Sequence, residues 1–171
     1  MRLPALLAVL ALTTAPALAE DEKRELDAHE HGHVELKIAV DGQTLSMQLE
    51  APGENIVGFE HEAKTAEQKA AVDAALKQFK DPTALFTLPD AAGCAVASNE
   101  AEIHQDGDHN AFEASYSFEC SDIAALATVE TKLFALYPSI EEIDVDFAVP
   151  AGQGSQELEA DSAVVNLPST S

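Results

Sequence analysis

The stretch from Ala28 to Gly42 reads AHEHGHVELKIAVDG, and three of the chain's six histidines, His29, His31 and His33, fall on alternate residues within it. Neutral imidazole is a good ligand for Zn²⁺, Cu²⁺ and Ni²⁺ and is less suited to Mg²⁺ or Ca²⁺. Alternate residues on a strand point the same way, roughly 7 Å apart at Cα, so two such rings can converge on one ion. Three in a row reach about 13 Å, too wide for one ion without a bend, which Gly32 could provide. The spacing therefore points to two histidines of this run plus a ligand from elsewhere. His61, at the end of "GFEH", is the best placed, and Glu50 is a candidate carboxylate. His104 and His109, with Asp106 and Asp108 between them, form a second candidate. Each has a plainer reading. Histidine tracts are often merely compositional, a lone histidine is often only hydrogen-bonded, and an Asp/Gly-rich loop is what any hairpin needs. If imidazoles do bind the ion, protons compete for the same nitrogens, and affinity should fall below about pH 6.5.

These residues need a scaffold, and the hydrophobic periodicity supplies one. Val34, Leu36, Ile38 and Val40 alternate with polar neighbours, as do Leu45, Met47 and Leu49 after Asp41-Gly42. Asp-Gly between alternating runs signals a two-residue hairpin. With Asp41 and Gly42 as the loop, Ile38 faces Leu45, Leu36 faces Met47 and Val34 faces Leu49, all on one face. His33 then points outward, opposite Glu50, with His31 near Pro52. Thr65 to Phe79 reads as a helix, with Thr65 and Gln68 as a capping box and Val72, Ala75, Leu76 and Phe79 as its apolar stripe.

A second hairpin follows. Phe112, Ala114, Tyr116, Phe118 and Cys120 share one parity, and so do Cys94 and Val96. Cys94 facing Cys120 would set Ile103 opposite Ala111 and leave 104–110 as the connection. Ser121 or Asp122 would cap a second helix running to about Leu136, with Leu126, Val129, Leu133 and Phe134 apolar. Ile143, Val145, Phe147 and Val149 alternate as another strand. The remaining segment suggests a turn and a last strand ending near Leu167. The expected class is α+β: an antiparallel sheet of β-hairpin–helix units with helices on one face. The two hairpin-plus-helix units could reflect an internal duplication.

The first residues stand apart from this domain. Arg2, the apolar run Leu3 to Leu12 and the small-residue triplet Ala17-Leu18-Ala19 read as a secretory signal peptide over residues 1–19. Glu20 would follow the cut, so the cysteine of a bacterial lipid anchor is missing. Residues 20–30 form a charged arm, and 31–171 a single domain. No later apolar run reaches the length of a membrane span. The expected product is exported and soluble, and two cysteines in an exported chain suggest one disulfide, Cys94–Cys120. With 31 acidic residues against 9 basic ones, the formal charge is −22. That argues against nucleic acid and anionic membranes and favours cations. Enzyme signatures are absent: no H-E-x-x-H, no G-x-S-x-G, no glycine-rich phosphate loop and no CxxC. The acidic pairs Glu141-Glu142 and Asp144/Asp146 read as a junction and a solvated strand face.

The order of "HEHGHVELKIAVDG", "NIVGFEH", "DPTALFTLPDAAGC", "FEASYSFEC", "LFALYPSIEEIDV" and "AGQGSQEL" resembles the ZrgA-like family of bacterial periplasmic zinc-uptake proteins. The resemblance covers nearly the whole chain after the leader. It implies a non-enzymatic periplasmic protein that binds Zn²⁺ and assists its acquisition beside a zinc ABC importer. It also implies that His29, His31 and His33 belong to the amino-terminal histidine motif and that His61 ends the "GFEH" motif. Many relatives carry a long histidine-rich insertion between the cysteine-bearing strands. Here it is reduced to "HQDGDHN", holding only His104 and His109, which argues for one principal site rather than a zinc store. Three rival readings are an acidic structural or calcium-responsive envelope protein with incidental histidines, a zinc hydrolase, and an adaptor for another envelope protein.

Overall fold

The computed structural model describes residues 32–107 and 109–168. The leader, the charged arm, His29 and His31 lie outside the described residues. In chain order the elements are β1 (His33–Asp41), β2 (Thr44–Pro52), α1 (Gly53–Val57), α2 (Ala66–Phe79), α3 (Pro82–Leu85), β3 (Phe86–Thr87), β4 (Cys94–Asp106), β5 (His109–Cys120), β6 (Thr128–Thr131), α4 (Leu133–Leu136), β7 (Glu142–Val149), β8 (Gly152–Leu158) and β9 (Val164–Asn166). A six-stranded sheet runs β4-β5-β2-β1-β7-β8, and a small three-stranded sheet runs β3-β6-β9. The fold is α+β.

Side chains alternate between the faces of a strand, and here the alternation is nearly complete. Val34, Leu36 and Ile38 of β1 share the buried face with Leu45, Met47 and Leu49 of β2, Phe112, Ala114, Tyr116 and Phe118 of β5, and Ile143 and Val145 of β7. The second layer closes over this face. Phe79 of α2 packs its ring 5.5 Å from that of Phe112, and Phe86 of β3 meets Tyr116 edge-on at 5.9 Å. The Tyr116 hydroxyl donates to the Phe79 carbonyl at 2.8 Å, so its buried oxygen is satisfied. Burial pushes the Tyr116 phenol far above its ordinary range, with Tyr137 adding to the effect. Helix α2 begins at the expected capping box: the Thr65 side chain accepts from the Gln68 amide, and Gln68 reaches back to the Thr65 amide. Cys94 and Cys120 are opposite one another and disulfide-bonded. Closing a loop of 26 residues, the bridge should contribute about 3 kcal/mol.

Several expectations are corrected. The first hairpin pairs Val40 with Leu45, Ile38 with Met47 and Leu36 with Leu49, so the loop is Gly42-Gln43 and the register is shifted by two residues. A two-residue shift preserves parity and still sets apolar opposite apolar, so the pattern cannot distinguish the two registers. Gly42 takes φ +60 while Gln43 does not turn positive, the signs of a type II′ turn. In the second hairpin Ile103 faces Phe112, not Ala111, because the register shifts between Val96 and Ser98, and the pairing continues to Asp106 opposite His109. The expected helix from Ser121 to Leu136 is instead a 3₁₀ turn (Ile123–Ala125), β6 and the four-residue α4. Thr128, Val129 and Thr131 are β-branched and favour a strand, while Leu126, Val129, Leu133 and Phe134 are buried as the apolar pattern required. The hairpin-plus-helix repeat therefore fails, and the final segment forms two strands, β8 and β9. The sheet is also mixed: β1 pairs with β7 in parallel.

The open face of the large sheet carries an unexpected row. Glu102, Glu113, Glu50, Glu35, Asp144 and Glu157 follow one another as direct partners across all its strands. Like charges placed directly opposite destabilise a sheet. Glu113→Gln should therefore raise stability by a few tenths of a kcal/mol to about 1 kcal/mol in low salt. Thermal melts should show that gain shrinking toward zero at about 0.5 M NaCl, where screening already relieves the repulsion.

Candidate metal centre

The topology brings one end of β1, β7, β5, β2 and β4 together. β1, β7 and β5 begin there, whereas β2 and β4 end there. The start of β1 is held by buried backbone contacts. Asn55, on α1, is buried; its Oδ1 accepts from the Gly32 amide and its Nδ2 donates to the His33 carbonyl, both at 2.9 Å. On the other side the Gly32 carbonyl accepts from the amides of Glu141, at 2.8 Å, and Glu142, at 3.1 Å. Gly32 sits at φ +91, a conformation that favours glycine, and a Cβ there would press on the Glu141 side chain at 3.2 Å.

This double anchorage fixes where His33 points. It pairs with Glu142 across the parallel ladder, and Glu35 pairs with Asp144. His33 Nδ1 lies 3.6 Å from Glu142 Oε1 and 3.7 Å from Asp144 Oδ2. One donor atom from each of the three residues fits within 4.8 Å of the others, the one such group of three among the described residues. The spacings exceed those of ordinary hydrogen bonds. They approach roughly 3.3 Å, the edge of a tetrahedron with zinc–ligand bonds of about 2.0 Å. The three side chains are partly exposed, open to ion exchange.

The other candidates are distributed around the same end. Glu50 faces Glu35 and Glu113 rather than His33, which follows from the corrected register. His61 stacks on Phe59, ring centroids 5.1 Å apart, and its Nδ1 lies 2.9 Å from the Glu62 carbonyl. His61 does not join the His33 group. His104 lies opposite Ala111, two residues from His109 along β5, so the two histidines are diagonal neighbours on the open face. His109 Nδ1 meets Glu60 Oε2 at 2.5 Å. Three carboxylates were not foreseen as site residues. Glu142 and Asp144 occupy alternate positions between buried Ile143 and Val145, the same signature that marks His33 on β1, but only the β1–β7 pairing unites them. Glu60 stands beside His61 in "GFEH", and only its burial against His109 sets it apart.

The geometry defines an α+β protein with imidazole and carboxylate donors converging at one end of a mixed sheet. The family model described as ZrgA family zinc uptake protein matches residues 28–167, and the chain belongs to that family. The description names a zinc uptake protein, not an enzyme. No curated protein matches the chain. Among the described residues no helix is long and apolar enough to cross a membrane.

The anchorage of β1 makes Asn55 the residue to test. Asn55→Ala strips partners from the buried Gly32 amide and the His33 carbonyl. It should cost about 1–3 kcal/mol in urea unfolding and weaken Zn²⁺ binding in the variant that remains folded, measured by calorimetry.

Proposed function

We propose that this protein captures Zn²⁺ in the bacterial periplasm and assists its uptake, passing the ion toward a zinc ABC importer. The observation that carries this reading is that His33, Glu142 and Asp144 bring one donor atom each within 4.8 Å of the others at the start of two adjacent strands, with His33 Nδ1 3.6 and 3.7 Å from the two carboxylates. One imidazole and two carboxylates form a donor set suited to zinc. Calcium, which takes six to eight oxygens, has little use for a nitrogen at the centre of the group. Three protein donors leave room for a further ligand, and partial exposure favours exchange over permanent retention. In this reading the strong negative charge raises the local concentration of cations and steers them inward. His29 and His31 immediately precede this end of the sheet in sequence, and His61, His104 and His109 surround it, so they are candidate donors for delivery or for completing the coordination.

Export supports the same picture. Residues 1–19 have the pattern of a cleavable signal peptide, 20–30 of an acidic arm, and 31–171 of one zinc-binding domain, while the Cys94–Cys120 bridge suits an oxidising compartment. Zinc is cargo here, and no catalytic role is assigned. Calorimetry on the oxidised chain distinguishes the readings. His33→Ala, Glu142→Gln and Asp144→Asn should each lower Zn²⁺ affinity at least about tenfold, the smallest loss usual for disturbing even a metal's supporting residues. A strong Ca²⁺ heat with no Zn²⁺ heat would establish the calcium-responsive alternative instead.

A further inference from the structure

We propose that Glu60 is a positioning residue for zinc capture: its carboxylate holds the His109 ring with the proton on Nδ1 and leaves Nε2 as a donor for a divalent transition metal. The inference rests on the zinc-capture reading and extends it to a residue beyond the His33 group.

The two members of this pair differ sharply in environment. The Glu60 side chain is only 10% exposed, whereas that of His109 is 63% exposed. An ordinary surface ion pair has two solvated partners and contributes little. A carboxylate taken largely out of water costs free energy unless it is bonded, so its placement against a histidine is a constraint on the ring. An ionised carboxylate only accepts hydrogen bonds, so the proton of the contact belongs to Nδ1. A neutral imidazole with its proton on Nδ1 carries its lone pair on Nε2. With Nδ1 turned to Glu60, Nε2 at the opposite side of an exposed ring is the available donor. A histidine that donates its other ring N–H to a carboxylate is a recurrent arrangement behind metal ligands.

Glu60 is itself held firmly. Asn110, adjacent to His109 and buried, donates from Nδ2 to the His61 carbonyl at 3.1 Å. The Phe59 carbonyl crowds Gly53 so closely that a Cβ there would lie 2.7 Å from it and 1.8 Å from Asn110 Oδ1. Both chain neighbours of Glu60 are therefore docked against the same end of the sheet, through β5 on one side and the start of α1 on the other. The loop that carries the carboxylate is fixed relative to the strand that carries the imidazole.

The test uses the full oxidised chain, Zn²⁺ as the probe, and the variants Glu60→Ala, Glu60→Gln, His109→Ala and Glu60→Ala/His109→Ala. Nitrogen-15 NMR of the zinc-free, unaltered protein should report the proton on Nδ1 of His109. Glu60→Ala should remove that preference and lower Zn²⁺ affinity about 10- to 100-fold. Glu60→Gln, which keeps an acceptor oxygen, should fall between Ala and the parent. In the His109→Ala background, Glu60→Ala should have no further effect. A proton on Nε2 in the unaltered protein overturns the inference without reference to any variant's folding. So does an equal loss from Glu60→Ala with and without His109, because Glu60 would then act by another route. Unchanged zinc affinity in His109→Ala, alongside losses in the His33, Glu142 and Asp144 variants, sinks this inference and leaves the capture reading standing. Failure of the unaltered chain to bind zinc overturns both.

Discussion

Strand β1 lies between an antiparallel neighbour, β2, and a parallel one, β7, and everything at the open end of the sheet follows from that position. Side chains on the three strands must alternate in step. Once Leu36 is committed to the core with Leu49 and Val145, His33 has to share the open face with Glu142 and Asp144. A one-residue slip of β1 would turn its apolar residues to water and His33 to the core together. The hydrophobic effect that sets the core thereby also sets the geometry of the polar cluster, although none of the clustered side chains contributes to that core.

The same alternation carries a cost. Placing apolar residues inward on β1, β2, β5 and β7 leaves polar residues outward, and six acidic residues fall in one row across the sheet. The repulsion is opposed by burial on the other face, by the Cys94–Cys120 bridge at the β4 edge and by cations such as Lys37, which pairs with Glu35 at 3.0 Å. In the proposed role the acidic face is useful, because a field unfavourable to folding is favourable to approaching cations. Local rigidity comes from a different source. Asn55 and Asn110 are buried amides that spend their hydrogen bonds on backbone groups at this end of the sheet, one at Gly32-His33 and one at His61.

Sequence periodicity carried much of the fold. The alternations of β1, β2, β5 and β7, the capping box at Thr65 and the cysteine pair are local signals, and each is present in the structure. What escaped was information that local pattern does not contain. A shift of two residues in the first hairpin leaves every apolar match intact, so only the Gly42 backbone and the neighbouring strands decide it. The segment from Ser121 to Leu136 has apolar spacings that suit a helix, but its β-branched centre is the middle strand of the small sheet, paired with β3 and β9. The partners of His33 were the hardest to foresee. Glu142 and Asp144 are more than a hundred positions away, and parallel pairing leaves no mark on either strand alone. Glu60 is buried against His109, a property invisible in "GFEH".

The central claim is that a zinc ion is held where β1 and β7 begin. Anomalous diffraction at the zinc absorption edge, from crystals of the oxidised chain grown with Zn²⁺, addresses it without intermediaries. The account predicts a peak about 2.0–2.2 Å from a ring nitrogen of His33 and from oxygens of Glu142 and Asp144. Density for those three side chains with no anomalous peak among them at saturating zinc would contradict it.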